Sequence, residues 1–191
     1  MAHSIIHRGL ARKKFKENTI PAFKYCFKKK FGIETDLHVT KDHKIICFHD
    51  FNLKRKFNIN RLVKNLNFNE INKIAKKFGY YIPELKELIR IAKNKHYLML
   101  EIKSTFSKKN LYQLIYETKN LKYFSITSFN ENNIKNIYKL KKKITLGLCF
   151  VSTSPIRKII KKSKLNYVNI LVMEKKFLSK KKLNTINKPI Y

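Results

Sequence analysis

Apolar residues along this chain follow two alternating rhythms. Short runs rich in β-branched and aromatic residues occur at Ser4 to Ile6, Ile33 to Val39, Lys44 to His49, Tyr97 to Ile102, Tyr123 to Thr127, Ile144 to Val151 and Tyr167 to Met173. Between most of them lie lysine-decorated segments whose apolar residues recur three or four apart, the spacing of an amphipathic helix. Helices are predicted over Pro21 to Lys30, Asn69 to Lys77, Pro83 to Lys95, Lys108 to Thr118, Asn130 to Lys141, Pro155 to Lys162 and Leu178 to Ile186. The last five strand runs are apolar on both faces and need cover on both sides, which predicts βα units around a parallel sheet. Seven such strands predict an α/β fold of TIM-barrel type, a βα barrel or most of one, with a doubly wound open sheet as the alternative. A length of 191 residues suits one domain over positions 1–191 with a single substantial core.

Composition narrows the picture. With 4 Gly and 4 Pro there is little material for a linker, and no internal repeat is evident. Lys or Asn interrupts every apolar stretch well short of the roughly 18 residues that a membrane span needs. The opening Met1-Ala2-His3-Ser4-Ile5-Ile6 lacks the regions of a signal peptide, so the expectation is a cytoplasmic protein. Cys26, Cys47 and Cys149 form no C-x-x-C pair, which argues against both a disulfide framework and a zinc site and for buried thiols in a reducing compartment.

Charge is the extreme feature: 44 Lys+Arg against 12 Asp+Glu gives a formal net charge of +32. Such a surface adheres to phosphate backbones by counterion release, so salt-sensitive contact with nucleic acid or anionic lipid is expected from charge alone. Only six of the 44 are arginine, however, and groove readers favour the arginine fork. Lys, Ile and Asn also recur along the whole length, as codon bias in an AT-rich genome would produce. A solvated lysine coat explains the charge without a nucleic-acid function.

Against so few acids, their positions are informative. Glu34 and Asp36 lie two apart in the strand-like run Ile33-Glu34-Thr35-Asp36-Leu37, which puts both carboxylates on one face. Like charges that close stay ionised together only around a cation, and carboxylate oxygens suit a hard divalent ion, Mg²⁺ or Ca²⁺. A third acid, Glu101, ends the apolar strand Tyr97 to Ile102, with Lys103 projecting to the same side. Charged groups at the C-terminal ends of buried parallel strands are where barrel enzymes keep their sites. His7 closes the first strand run and His49 the third. Two imidazoles can take a proton from a nucleophile and deliver one to a leaving group at neutral pH. Arg8 and Lys103 add fixed positive charge of the kind that clamps a phosphoryl group.

Together these segments resemble the glycerophosphodiester phosphodiesterase family, within the phospholipase C-like phosphodiesterase superfamily. The resemblance is carried by His7-Arg8-Gly9, Glu17-Asn18-Thr19-Ile20-Pro21-Ala22-Phe23, Gly32-Ile33-Glu34-Thr35-Asp36-Leu37-His38, His49-Asp50 with Leu53 and Arg55, Ile82-Pro83-Glu84-Leu85 and Leu100-Glu101-Ile102-Lys103. It is dense over residues 4–103 and sparse beyond. It implies a barrel of eight βα units, one divalent cation, and hydrolysis of small-molecule glycerophosphodiesters to sn-glycerol 3-phosphate and an alcohol. By the same resemblance Glu34, Asp36 and Glu101 are the metal ligands and His7 and His49 the acid/base pair. Arg8 and Lys103 contact the substrate phosphate, and Glu17 and Asn18 sit at the rim of the site, with Asn18 near the metal. In the implied mechanism the glycerol 2-hydroxyl attacks phosphorus and expels the alcohol, and water then opens the cyclic phosphate.

The chain departs from the family pattern in three places. It has no Trp, whereas the family's eighth strand carries a Trp-Thr-Val-Asn-like segment, and Asn187-Lys188-Pro189-Ile190-Tyr191 falls about where that strand should start. The expectation is a barrel incomplete in its eighth strand, its edges covered by the C-terminal tail or by a second subunit. His43 replaces the glycine usual in the hairpin after Asp42, and Lys56-Phe57-Asn58 replaces a threonine-rich segment. These departures keep a second reading in play, a catalytically impaired homologue that binds anionic lipid or nucleic acid.

Overall fold

The computed structural model describes residues 4–11, 14–177 and 181–191. Each of the seven strand runs forms a strand: β1 (Ile5–Ile6), β2 (Gly32–Val39), β3 (Ile45–Cys47), β4 (Leu98–Ile102), β5 (Phe124–Ser128), β6 (Thr145–Phe150) and β7 (Ile170–Met173). The helices are α1 (Ile20–Lys28), α2 (Lys54–Phe57), α3 (Phe68–Lys76), α4 (Leu85–Ala92), α5 (Lys108–Glu117), α6 (Glu131–Leu140) and α7 (Ile156–Ser163). Local chemistry sets their starts. Pro21 opens α1, where a missing N–H costs nothing. Asn67 and Glu70 form a reciprocal capping box on α3, and Ser107 accepts from the Asn110 N–H at the start of α5. The helix expected over Leu178 to Ile186 falls partly outside the described residues, and Lys181–Thr185 is a 3-10 turn. The four-residue α2 carries too few residues for any periodicity and was not expected.

Strands β1-β2-β4-β5-β6-β7 lie in that order, each parallel to its neighbour, in a curled half-barrel. The third strand corrects the expectation of seven βα staves: β3 pairs antiparallel with β2, Leu37 opposite Cys47 and Val39 opposite Ile45. Its connection is too short for a parallel crossover, which takes a dozen residues or so. Thr40 instead receives a tight return, with His43 N–H donating to the Thr40 carbonyl at 3.0 Å and His43 at φ 61, the left-handed conformation that glycine ordinarily supplies. At the far end, Leu171 donates to the Pro189 carbonyl and Tyr191 to the Leu171 carbonyl, both at 2.9 Å. The tail expected at the start of an eighth strand thus lies directly against β7, parallel to it, beside the sixth parallel stave.

Alternation divides each central strand. Ile33, Leu37, Leu98, Leu100 and Leu146 join Phe23, Leu88, Leu111 and Ile137 from the helices in the main core. Their neighbours Glu34, Asp36, Met99 and Glu101 take the other face. Gly147 has no room for a side chain, since a Cβ there would stand 2.6 Å from Ile170 Cγ1. A second cluster, built on Phe48, Phe57, Leu66, Ile71 and Ile82, packs under the segment between β3 and α4. All three cysteines are buried and free, as expected. No helix among the described residues is long and apolar enough to cross a membrane.

Candidate active site

The register of the sheet assembles the acids. Asp36 in β2 sits opposite Glu101 in β4, and Glu34 opposite Met99 one pleat below. One carboxylate oxygen from each of Glu34, Asp36 and Glu101 lies within 4.8 Å of the others, and all three residues are buried. Burial first, then the charges of Asp36 and Glu101, push the Glu34 carboxyl well above its usual value. Burial likewise raises Glu101, against the pull of Lys103. Glu34 Oε1 is buried without any hydrogen-bond partner, a costly condition for a carboxylate oxygen. An all-oxygen set of three crowded acids with an orphaned oxygen fits a hard divalent cation.

Basic and amide groups surround this cluster. The loop after β1 carries Arg8 at φ 55 and Gly9 at φ 67, so its backbone turns inward and the Arg8 N–H donates to Glu34 Oε2 at 3.1 Å. A Cβ on Gly9 would meet the Phe23 ring at 3.0 Å and the Ala22 methyl at 3.1 Å, which reserves the position for glycine. Arg8 Nε lies 3.2 Å from Asp36 Oδ2, and Arg8 Nη1 donates to Glu17 Oε2 at 3.3 Å. Lys103 Nζ reaches Glu101 Oε1 at 2.7 Å and Asp36 Oδ1 at 3.5 Å. Against a burial that disfavours its charge, those two carboxylates hold Lys103 above its ordinary value. Asn18 lies deeper than the rim expected for it: 1% exposed and at φ 54, it donates from Nδ2 to Asp36 Oδ2 at 3.0 Å and accepts from Thr35 Oγ1 at 2.8 Å. It orients a carboxylate from beneath.

Both histidines arrive at the same mouth by different routes. His7 follows β1, its Nε2 3.9 Å from Glu34 Oε2, with 71% of its side chain exposed. Partial desolvation, then the Arg8 guanidinium, lowers its pKa below the ordinary histidine value. His49 follows the hairpin strand β3, and its Nδ1 donates to Asp50 Oδ1 at 2.7 Å. The two rings lie within each other's electrostatic reach, and His49 also acts on Glu101. His38, on the same face as Asp36, bonds from Nε2 to the His49 carbonyl at 3.1 Å, and burial lowers its pKa to about 4, so it is neutral at pH 7.

The Glycerophosphoryl diester phosphodiesterase family model matches residues 7–187. The chain belongs to this family. Over 160 residues it is 32% identical to a glycerophosphodiester phosphodiesterase of Caldanaerobacter subterraneus, covering 76% of this chain and 65% of that one. A Bacillus altitudinis glycerophosphodiester phosphodiesterase is 29% identical over 53% of this chain and 44% of its own. The chain thus spans less than two thirds of either curated relative. Among solved structures, the Thermotoga maritima glycerophosphodiester phosphodiesterase superposes with a TM-score of 0.75 at 20% identity, covering 91% of this chain and 74% of its own. An Oleispira antarctica phosphodiesterase, solved in complex with the product sn-glycerol-3-phosphate, gives 0.81 at 18% identity over 99% and 83%. Those two likenesses establish the fold of this glycerophosphoryl diester phosphodiesterase family member.

Contacts of four residues in this family chain, Cys149, Thr35, Asp50 and Arg55, escape a reading of its sequence. Cys149 on β6 turns its Sγ toward Glu101 Oε2 at 3.8 Å, a contact between positions 48 residues apart that nothing local announces. Thr35 lies between the two acids of β2 yet faces the opposite way, as strand alternation requires, and there it secures Asn18. Asp50 and Arg55, noted only as part of a motif, bond to each other, Arg55 Nε donating to Asp50 Oδ2 at 2.7 Å.

Proposed function

We propose that the chain hydrolyses glycerophosphodiesters to sn-glycerol 3-phosphate and an alcohol, using one divalent cation held by Glu34, Asp36 and Glu101. The observation that carries the reading is the meeting of those three acids within 4.8 Å, one of them with an orphaned oxygen, among basic groups suited to phosphate. The product named for the Oleispira antarctica relative supports the choice of substrate class. A cation in this oxygen cage would supply Lewis-acid stabilisation of phosphoryl charge and a lowered hydroxyl pKa.

The chain's own groups divide the remaining work. Arg8 and Lys103 orient the diester and offset charge on its non-bridging oxygens as they gain it. His7, its pKa lowered, is neutral at pH 7 and suits a proton acceptor at Nε2 for the glycerol 2-hydroxyl. His49, with Nδ1 committed to Asp50, keeps Nε2 to deliver a proton to the leaving alcohol. The roles reverse when water opens the cyclic phosphate.

The test is release of glycerol phosphate from glycerophosphoethanolamine or glycerophosphocholine with Mg²⁺ or Ca²⁺, repeated after chelation and in His7→Ala and Glu34→Ala. Turnover is expected to vanish in all three cases. Full activity in both variants, or indifference to the chelator, refutes the reading.

A further inference from the structure

Arg55 has no role in the chemistry above, yet it joins the two sides of the site. Its Nε donates to Asp50 Oδ2 at 2.7 Å and its Nη2 to Glu17 Oε1 at 2.6 Å. Each carboxylate then uses its other oxygen to hold a proposed catalytic or phosphate-binding group: Asp50 Oδ1 accepts from His49 Nδ1 at 2.7 Å, and Glu17 Oε2 from Arg8 Nη1 at 3.3 Å. The result is an unbroken line of charged hydrogen bonds running His49, Asp50, Arg55, Glu17, Arg8. We propose that Arg55 is a positioning residue that fixes the His49 ring and the Arg8 guanidinium relative to one another across the reacting phosphorus. The proposal rests on the phosphodiesterase reading.

Several features favour positioning over simple stabilisation. Arg55 is 50% exposed, and ion pairs in such settings contribute little to folding. Two short bonds to separate carboxylates nonetheless pin a long side chain that solvent would leave loose. One group at the end of the line needs outside support, because Arg8 adopts a left-handed backbone that arginine does not favour. The line is also anchored. Glu17 forms a third ion pair, with Lys56 at 2.8 Å, and its main-chain carbonyl accepts the Tyr80 hydroxyl. Tyr80 belongs to the second hydrophobic cluster, so the anchor reaches the packed segment beneath β3. The planar guanidinium fixes the direction of both bonds at once, whereas an ammonium group is a point charge on a flexible stem and leaves their angle free.

The two ends of the line predict different kinetic signatures. Asp50→Asn disturbs the His49 end and is expected to lower kcat by about 10-fold with a smaller change in KM. Glu17→Gln disturbs the Arg8 end and is expected to act mainly through KM, raising it several-fold. Arg55→Ala is expected to do both, and Arg55→Lys to rescue neither, although it keeps the charge. Independently of turnover, nitrogen-15 NMR of the His49 ring is expected to show the Nδ1–H tautomer in the wild type and a mixture in Arg55→Ala. Wild-type kinetics in Arg55→Lys, or an unchanged His49 tautomer in a folded Arg55→Ala, overturns the proposal. A wild-type chain that hydrolyses no glycerophosphodiester sinks the phosphodiesterase reading instead, and with it the catalytic purpose of the line; the tautomer measurement still decides whether Arg55 orients His49.

Discussion

Acids at the mouth of the sheet and acids on its outer surface have the same chemistry and opposite circumstances. Outside, Asp42 and Glu131 are each surrounded by donors. Asp42 takes the Thr40 hydroxyl and the Phe68 N–H, which outweigh its modest burial and hold it below its usual value. Glu131 is held down in the same way by Lys162 and Tyr167. At the mouth, burial drives both Glu34 and Glu101 upward, helped by the charges of Asp36 and Glu101 on Glu34 and of Asp36 on Glu101. A fold selected only for stability has no reason to keep the second arrangement. The contrast separates carboxylates whose charge the fold satisfies from carboxylates whose charge it leaves crowded and buried.

The largest effect expected from breaking this contrast is in Glu34→Gln. Its kcat/KM should fall by more than about 10³-fold, some 4 kcal/mol of transition-state stabilisation, in a steady-state assay with Mg²⁺. In chelator, the same variant should be more stable than wild type by on the order of 1 kcal/mol in urea, because a crowded buried charge has gone. A loss of stability in that second measurement would mean that Glu34 is a structural acid like those outside.

Cation binding itself comes next. At a concentration 100 times its dissociation constant, Mg²⁺ or Ca²⁺ should stabilise the wild type by about 2.7 kcal/mol and leave Glu34→Gln nearly unmoved, read as a shift in thermal midpoint.

Glu17 sharpens the comparison, since it sits at the mouth yet behaves like an outer acid. Burial alone would raise it, but hydrogen bonds from Lys56 and Arg55 hold it at about 2. With a folded pKa below the unfolded 4.5, its contribution is present above about pH 4.5 and is lost as pH falls toward 2. Glu17→Gln should therefore cost about 2 kcal/mol at pH 7 and far less at pH 3, measured by urea unfolding at both. The smallest effect belongs to Glu131→Gln, about 0.5 kcal/mol with no change in turnover, because Lys162 and Glu131 are 27% and 30% exposed and surface pairs contribute little.

Much of this was legible in the chain before any coordinates. The seven strand runs announced themselves because β-branched and aromatic residues bunch where both faces are covered. Glu34 and Asp36 were readable as a pair because alternation alone puts them on one face. That Glu101 meets Asp36 was suggested only by its place at a strand end; the inter-strand register that decides it has no local signature. The antiparallel course of β3 was written in the short turn Thr40 to Lys44, but strand alternation drew it into the parallel count. The bond from Arg55 to Glu17 spans 38 positions with nothing between them to mark it.

The antiparallel hairpin has a mechanical consequence. Glu34, Asp36 and Glu101 are built into the wall of the sheet, whereas His49 rides on an appended arm steadied by its own small cluster of side chains. Gentle warming should slacken the arm before the wall gives way, leaving molecules that still capture a cation but no longer turn over. For the same reason, exchanging that arm between relatives would change the setting of His49 without rebuilding the acid cluster in the sheet.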